Sequence, residues 1–581
     1  MKNKTEGGLG MNHQSIAAFI WQVADLLRGD YKQHEYGDII LPFTVLRRLD
    51  CVLEPTKDQV LATAKSTQNM SEGIRDRQLK KVSGMPFYNT SRYTMRLLRN
   101  DPGNIAENLA AYVQGFSKDA LDVFEKFDFF NRIDSLAAND LLFQIVDKFC
   151  TVDLGPESVK DSEMGNIYEN LLRRFSEMSN ETAGEHFSPR DGVKLAVDLL
   201  IAGASSDLSQ EGKVVKVYDP CAGTGGALSL FDKQVKDYYP NTTVRCYGQE
   251  LNPATFATCK ADMMMRGGEA ENIAFGNTLT EPAFSDEQFG YQISNPPYGV
   301  DWKKSKGAVE NEYKNGGGRF AAGLPRVSDG QLLFIEHMVS KMRPAGLGGG
   351  RIAVFMNGSP LFTGAAGSGE SNIRRWLLEE RDLVEAIVAM PNDFFYNTGI
   401  ATYIWVLNNN KPAERRGKVQ LINANGVFTK MRKSLGSKRN ELSDEQIRGI
   451  VKEYEAFEES KTSKIFDVAD FGYTTVTVER PLHDEDGEIE TDRKGRPKPD
   501  SSLRDTENIP LKQDIDEYFE REVKPYAPDA WMDRKKDKVG YEIPFTRYFY
   551  EYTPLRPSAE VLDDIRSLEA SIADSLAKVG L

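Results

Sequence analysis

Between Val214 and Tyr298 short runs of β-forming residues alternate with helical ones, and this alternation restricts the fold more than any other feature of the chain. Val214-Val215-Lys216-Val217-Tyr218 reads as a buried strand that ends at Asp219. A glycine-rich turn, Pro220 to Gly226, follows it, and a helix is expected from about Ala227. Thr243–Glu250 reads as a second strand, Ala254–Arg266 as a second helix and Ile273–Gly276 as a third, short strand. A further strand runs through Ile293-Ser294 into Asn295-Pro296-Pro297-Tyr298. Strands separated by helices require crossover connections, hence an α/β fold with a mostly parallel sheet. Ligands of such sheets sit outside the carboxyl ends of the strands, so the polar residues that end these strands face one crevice.

The glycine turn alone is weakly informative, because an ordinary tight βα turn looks the same. It lacks the Lys-Ser/Thr of a nucleotide P-loop, and Gly223 and Gly225 are not followed by the third glycine of the dinucleotide fingerprint. The following strands add weight. Glu250 ends the second strand, where a carboxylate usually grips the two hydroxyls of a ribose. Asn277 and Thr278 end the third and are placed to reach a base. A turn for an amino-acid moiety (Asp219, Ala222, Gly223, Thr224, Gly225), an acid for a ribose and a polar pair for a base suit S-adenosylmethionine better than a dinucleotide.

Asn295-Pro296-Pro297-Tyr298 is the sharpest signal. With proline usage near 5%, such a tetrapeptide arises by chance in roughly a few chains per thousand of this length. It has a chemical reading. An exocyclic aromatic amine is a poor nucleophile, because its lone pair is delocalised into the ring. Two acceptors aimed at its N–H bonds, the Asn295 side-chain oxygen and the Pro296 carbonyl, pull the nitrogen towards sp³, and rigid prolines hold them in place. Tyr298 offers a flat face for a base taken out of the stack.

At these residues the chain resembles the N6-adenine DNA methyltransferases, and closely the modification subunit of type I restriction–modification systems. The resemblance spans roughly Ile16 to Asn410 and is carried by Gly165–Leu172, Gly184–Arg190, Asp219–Gly226 and Asn295–Tyr298, with Ser328-Asp329, Leu361-Phe362 and Thr398-Gly399-Ile400 fitting the same pattern. Two positions depart from it. Asn277 stands where Asp is common, and His186-Phe187-Ser188 where an aromatic-Thr pair is common. By its own pattern 431–581 reads as a C-terminal extension with a helical tail. The resemblance implies a Rossmann-like S-adenosylmethionine-dependent domain over 160–430, and implies that the all-helical domain read over 11–155 closes over DNA and contacts partners. It implies that Glu185, His186, Phe187, Ser188, Pro189 and Arg190 cover the methionine end of the cofactor. It implies catalysis by Asn295, Pro296, Pro297 and Tyr298 on DNA. The implied partners are a specificity subunit, a second modification subunit and a restriction subunit.

Charge bears on the same question. The net charge of −14 repels phosphate, so either a local basic patch or a partner must provide the grip on DNA. No run of 18 apolar residues exists, and no membrane span is expected. Five scattered cysteines without a CxxC pair, and five scattered histidines, point to a reducing cytoplasm and to no metal site. No P-loop with Gly-Lys-Ser/Thr is found, so no translocase or nuclease engine is expected.

Elsewhere the pattern is plainer. Residues 1–10 are expected to be disordered. Helical stripes recur over 15–29, 38–52 (with Pro42 near the first turn), 105–116, 121–127 and 141–150, and again over 165–177, 191–202, 329–342 and 371–380. The glycine- and lysine-rich stretch from Gly299 to about Arg326 reads as a DNA-facing loop. Arg351–Met356, Leu383–Met390 and Thr402–Asn408 read as strands, with Lys418–Asn423 at the sheet edge. Past Gly426 the pattern loosens into a helix over 444–457, a charged linker or hairpin loop over 480–508, and a terminal helix from Ser558 whose apolar stripe is expected to pack on a partner or on the N-terminal domain. Two other functions remain open to this sequence: a methyltransferase acting on a protein glutamine amide, whose nitrogen the same corner would polarise, and an idle scaffold in a DNA-binding complex.

Overall fold

In the computed structural model, residues 13–179, 188–316, 318–396, 399–435, 437–550 and 557–578 are described. The expectations for residues 1–10, Gly184–Phe187 and Thr398 lie outside them. The alternating stretch folds as β1 (Val214–Asp219), β2 (Thr243–Glu250), β3 (Ile273–Phe275) and β4 (Tyr291–Ser294), joined by helices Gly226–Tyr238 and Pro253–Met265. The sheet continues with β5 (Arg351–Asn357), β6 (Val384–Ala389), β7 (Thr402–Asn408) and β8 (Lys418–Asn423). A two-stranded hairpin, β9 (Thr429–Leu435) and β10 (Lys438–Glu441), precedes the helix Asp444–Ala456 and β11 (Ser463–Asp467).

The strand order is β11-β8-β6-β7-β5-β4-β1-β2-β3, with β7 and β11 antiparallel to their neighbours. The chain runs outward from β1 through β2 to β3 and then returns to the other side of β1 with β4. That reversal opens a crevice between the carboxyl ends of β1 and β4. Val215, Val217 and Ile293 face one layer of core with Leu195, Leu199 and Phe231, while Tyr218, Tyr247 and Phe289 stack on the opposite face.

Residues 13–150 are helical, around stacked and edge-on aromatic pairs such as Phe43–Phe129 at 4.9 Å and Phe116–Phe124 at 5.5 Å. Their core continues into the helix Pro253–Met265 through Ala257, Ala261, Met264 and Met265. Buried Lys260 bonds Asp119 and Asp122 at 3.2 and 3.0 Å across that seam. The chain to Ile543 is accordingly one compact unit.

Several details differ from the sequence reading. Pro42 lies inside the helix Tyr36–Leu53, past its first turn, where it removes one backbone hydrogen bond. The first helix is described from His13 to Leu27, ending two residues short of the stripe expected over 15–29. The sheet edge is β11, not β8, and it lies beyond residue 430. Residues 299–326 are not a loop. They hold the helix Lys306–Lys314, and Trp302, Val309 and Phe320 are buried with Leu279, Leu333 and Phe334. Three apolar residues are enough to fold a stretch whose glycines and lysines dominate its composition.

Beyond β11 a second sheet forms from β12 (Gly472–Glu479), β13 (Asp505–Pro510), β14 (Trp531–Met532) and β15 (Lys538–Tyr541). Residues 480–504 are the hairpin excursion between β12 and β13, with tight turns at Asp484–Gly487 and Asp492–Gly495. The second unit, Pro544–Leu581, contains the helix Ser558–Lys578, whose Val561, Leu562, Ile565, Leu568 and Ile572 are exposed. No described helix is long and apolar enough to cross a membrane.

Candidate active site

One cavity of about 820 Å³ occupies the crevice at the β1/β4 reversal. Its lining includes Asp219, Ala222, Gly223 and Thr224 of the glycine turn, Glu250 from the end of β2, Asn277 and Thr278 after β3, and Asn295, Pro296, Pro297 and Tyr298 after β4. Ser188 and Arg190 close it from the side. The fold thus assembles one site from segments spread over more than 100 positions.

The turn is built around two carboxylates. Asp219 is buried, and its Oδ1 accepts from the Cys221 amide at 2.9 Å and the Ser294 hydroxyl at 2.8 Å, tying the ends of β1 and β4 together. Glu250 Oε2 accepts from the Gly223 amide at 2.8 Å and Oε1 from the Asn252 amide at 2.7 Å. A carboxylate offers about four lone-pair positions, so Glu250 keeps acceptor capacity towards the cavity after both bonds.

Burial pushes the Asp219 carboxyl up to about 7, against the lowering effect of its two donors. A folded-state value above the unfolded one means that the native state holds its proton where the unfolded chain has lost it. The stability this contributes is full below the ordinary carboxylate range and is lost as pH rises to about 7. Asp219→Asn mimics the protonated acid. Thermal unfolding of both proteins should show the variant gaining on the wild type by of the order of 1 kcal/mol per pH unit between about pH 4 and 7. A gap that does not change with pH would contradict this.

Gly225 stands apart from the other residues of the turn. It is in the left-handed region at φ 81°, its amide donates to Ala222 at 2.8 Å, and it does not line the cavity. A Cβ there would stand 2.8 Å from Cys259 Sγ. It turns the chain into the helix Gly226–Tyr238 and lets that helix close on its neighbour. Pro189 is likewise buried at the start of the helix Arg190–Ile201 and outside the cavity lining. Thr278 donates its hydroxyl to the Pro220 carbonyl at 2.6 Å, and Asn277 bonds Ser305 Oγ and the Leu279 amide, so both brace the floor of the site.

That floor is clamped from below by Arg319. Its guanidinium donates to both Glu312 oxygens, to the Thr278 and Leu279 carbonyls at 2.8 and 2.9 Å, and contacts His337 Nδ1 at 3.0 Å. Burial and the neighbouring Arg319 hold the His337 imidazole well below its usual range, so it is neutral and accepts at Nδ1. Five donors in a fixed fork meet five acceptors, which a lysine cannot reproduce. Arg319→Lys should destabilise the protein by about 2–4 kcal/mol, read by denaturant unfolding. It should also weaken binding in the adjoining cavity, and an unchanged midpoint would refute the clamp.

At the other end, Asn295 Nδ2 donates to Ser188 Oγ at 3.0 Å, which fixes the amide with its oxygen towards Tyr298. The Tyr298 hydroxyl donates to that oxygen, and its ring meets Phe395 edge-on at 6.3 Å between centroids. Pro296 is buried and Pro297 exposed.

The family model described as N-6 DNA Methylase matches residues 159–486, more than half of the chain. The chain belongs to the N-6 DNA methylase family. A second model, the HsdM N-terminal domain, matches residues 16–149 of the methylase. Among curated proteins it is 26% identical over 456 residues to the type I restriction enzyme MjaIX methylase subunit of Methanocaldococcus jannaschii, covering 76% of each. It is 29% identical over 280 residues to the HindI methylase subunit of Haemophilus influenzae, covering 48% of this chain and 56% of that protein. A crystal structure of a type I restriction-modification methyltransferase subunit from Streptococcus thermophilus superposes with TM-score 0.62 at 23% identity, over 79% of this chain and 97% of that one. The likeness to that structure shows the Rossmann-like fold.

The N-6 DNA methylase family implies a methyl donor and an amine acceptor for this chain. Sequence reasoning misses Asn357 and Phe355 at the end of β5, Phe334, and Arg266, all of which line the site. Asn357 is legible by the same rule as Glu250, as the polar residue closing an apolar strand beside β4. Phe334 is not, because helical spacing reads as core. Among the described residues no group of three or more His, Cys, Asp or Glu is placed to hold a metal.

Proposed function

We infer that this chain is the modification subunit of a type I restriction–modification enzyme and transfers a methyl group from S-adenosylmethionine to N6 of an adenine in DNA. The observation that carries the reading is the shared cavity, lined both by Glu250 and the glycine turn and by Asn295-Pro296-Pro297-Tyr298. Its size suits a nucleoside-sized ligand and a base edge together. The donor set also fits S-adenosylmethionine. A carboxylate with spare lone pairs can take ribose hydroxyls, and a backbone turn without bulky side chains can take the amino-acid end. Bound there, the cofactor supplies an electrophilic methyl on a sulfonium.

The rest is done by the chain. An adenine entering past Pro297 displaces the Tyr298 hydroxyl from Asn295 Oδ1 and presents its amine to that oxygen and to the Pro296 carbonyl. The two acceptors draw both N–H bonds out of conjugation and aim the lone pair at the methyl. The Tyr298 ring stacks on the extruded base. The methylated nitrogen is strongly acidic until it loses a proton, so water suffices to take it. Ser188 keeps the Asn295 amide from flipping, and Arg190 belongs over the methionine end.

The net charge of −14 supports a division of labour in which a specificity subunit reads the sequence, with a second modification subunit and a restriction subunit completing the complex in the cytoplasm. In that complex residues 11–155 act as the domain that closes over DNA, the catalytic core runs from 160 past 430 through β11, and the chain beyond β11 is the partner-binding extension. Labelled methyl transfer to duplex DNA, with and without the specificity subunit, tests this. Label in DNA only when both are present is expected. Label in protein, or none, would overturn the reading.

A further inference from the structure

Three of the four lysines that the sequence placed on a DNA-facing loop, Lys303, Lys306 and Lys314, are paired with carboxylates. Lys303 pairs with Asp301, and Lys306 and Lys314 both reach Glu310. A dense run of positive charge lies in the hairpin β9–β10. Thr429–Glu441 carries Lys430, Arg432, Lys433, Lys438 and Arg439 against one carboxylate, Glu441, in a chain of net charge −14. Lys430, Arg432, Lys433 and Arg439 are exposed, and among the described residues none of the four meets a carboxylate. Lys430 and Arg432 are two apart on β9 and share one of its faces.

The fifth cation roots the hairpin beside the catalytic corner. Buried Lys438 bonds both Asp191 oxygens at 3.1 and 3.2 Å, next to Arg190 in the cavity wall, and lies 3.8 Å over the Phe394 ring. The Arg439 amide donates to the Asp393 carbonyl at 2.8 Å and the Ser437 amide to Tyr396 at 2.8 Å. Phe394 packs edge-on against Phe395, and Phe395 against Tyr298. An electrostatic arm is thus bolted through two aromatic rings to the residue that receives the base.

We propose that the hairpin β9–β10 grips the phosphate backbone of duplex DNA next to the point where the target base leaves the stack. This rests on the reading of the chain as a DNA methylase. The contacts are sequence-independent, because point charges on a β-ribbon reach phosphate oxygens and carry no base information of their own. They hold the duplex in register while a specificity subunit reads it.

The test is duplex binding by the full chain, alone and with its specificity subunit, measured against salt for wild type and for Lys430→Gln/Arg432→Gln/Lys433→Gln. Each lost phosphate contact lowers the slope of log Kobs against log salt by about 0.9, so the triple variant should lose about 2–3 of that slope. Its melting temperature and donor affinity should match wild type, and Arg432→Lys should keep the wild-type slope. A triple variant with the wild-type slope and affinity overturns the proposal. So does one that binds DNA normally but no longer co-purifies with the specificity subunit, which would make the hairpin a protein-docking surface. A wild type that binds no duplex in either form also overturns it. A wild type that binds duplex but transfers no methyl to it overturns the functional reading alone.

Discussion

Asn295→Ala is expected to lower the rate of methyl transfer by at least about 10²–10³-fold, the usual cost of removing one preorganised acceptor or donor at a reacting centre. The donor's affinity should stay within about two-fold, because the Asn295 side chain bonds Ser188 and Tyr298 and neither Glu250 nor the glycine turn. The loss is chemical rather than structural. Asn295 is half-buried, and its Nδ2 has one partner, Ser188 Oγ. Its oxygen is held by the Tyr298 hydroxyl in the absence of a base. Tyr298→Phe deletes that hydroxyl but keeps the ring, so it separates the two roles of the tyrosine and should leave most of the activity. Single-turnover transfer of labelled methyl to DNA, beside calorimetric titration of the donor, resolves rate from binding. A variant that loses donor affinity and rate together would place Asn295 in the cofactor site instead.

Glu250→Ala should do the reverse, raising the dissociation constant for S-adenosylmethionine by about 10²-fold, as loss of two charge-assisted hydrogen bonds of about 1.5 kcal/mol each requires. Here some structural cost is unavoidable. The Gly223 and Asn252 amides both donate to this carboxylate, and both lose their acceptor. Glu250→Gln keeps one acceptor oxygen and should fall between. Calorimetry on the folded variants reads the effect, and saturating donor should restore much of the rate. An unchanged dissociation constant in Glu250→Ala would mean that the carboxylate only braces the turn, as Asp219 does between β1 and β4.

Much of this site is legible in the chain itself because its chemistry sits on strand ends. A strand buried on both faces announces itself by a run such as Val214–Tyr218, and the residue that ends it has a fixed place in a parallel sheet. Asp219, Glu250 and Asn295 all stand out in that way. The features that escape this reading depend on contacts distant in sequence. Nothing local to Ser463–Asp467 reveals that it pairs with β8 and closes the sheet. Nothing local to Gly225 shows that its missing Cβ makes room for Cys259 rather than for a ligand. The stretch 299–326 misleads because the pattern of Trp302, Val309 and Phe320 is sparse, and because Arg319 looks like a surface cation unless its five acceptors are known. The basic hairpin hides for the same reason in reverse: its charges read as a solvated edge, and only its attachment through Lys438 to Asp191 and Phe394 gives them a position.

In the proposed mechanism a rigid amide–proline corner activates an exocyclic ring amine. The most direct measurement is digestion of the methylated DNA to nucleosides after reaction with labelled donor, with the label located by mass. Label on N6 of deoxyadenosine, lost with Asn295→Ala, is the expected result. Label on a ring carbon, or label on N6 that persists undiminished in the Asn295→Ala protein, would contradict it.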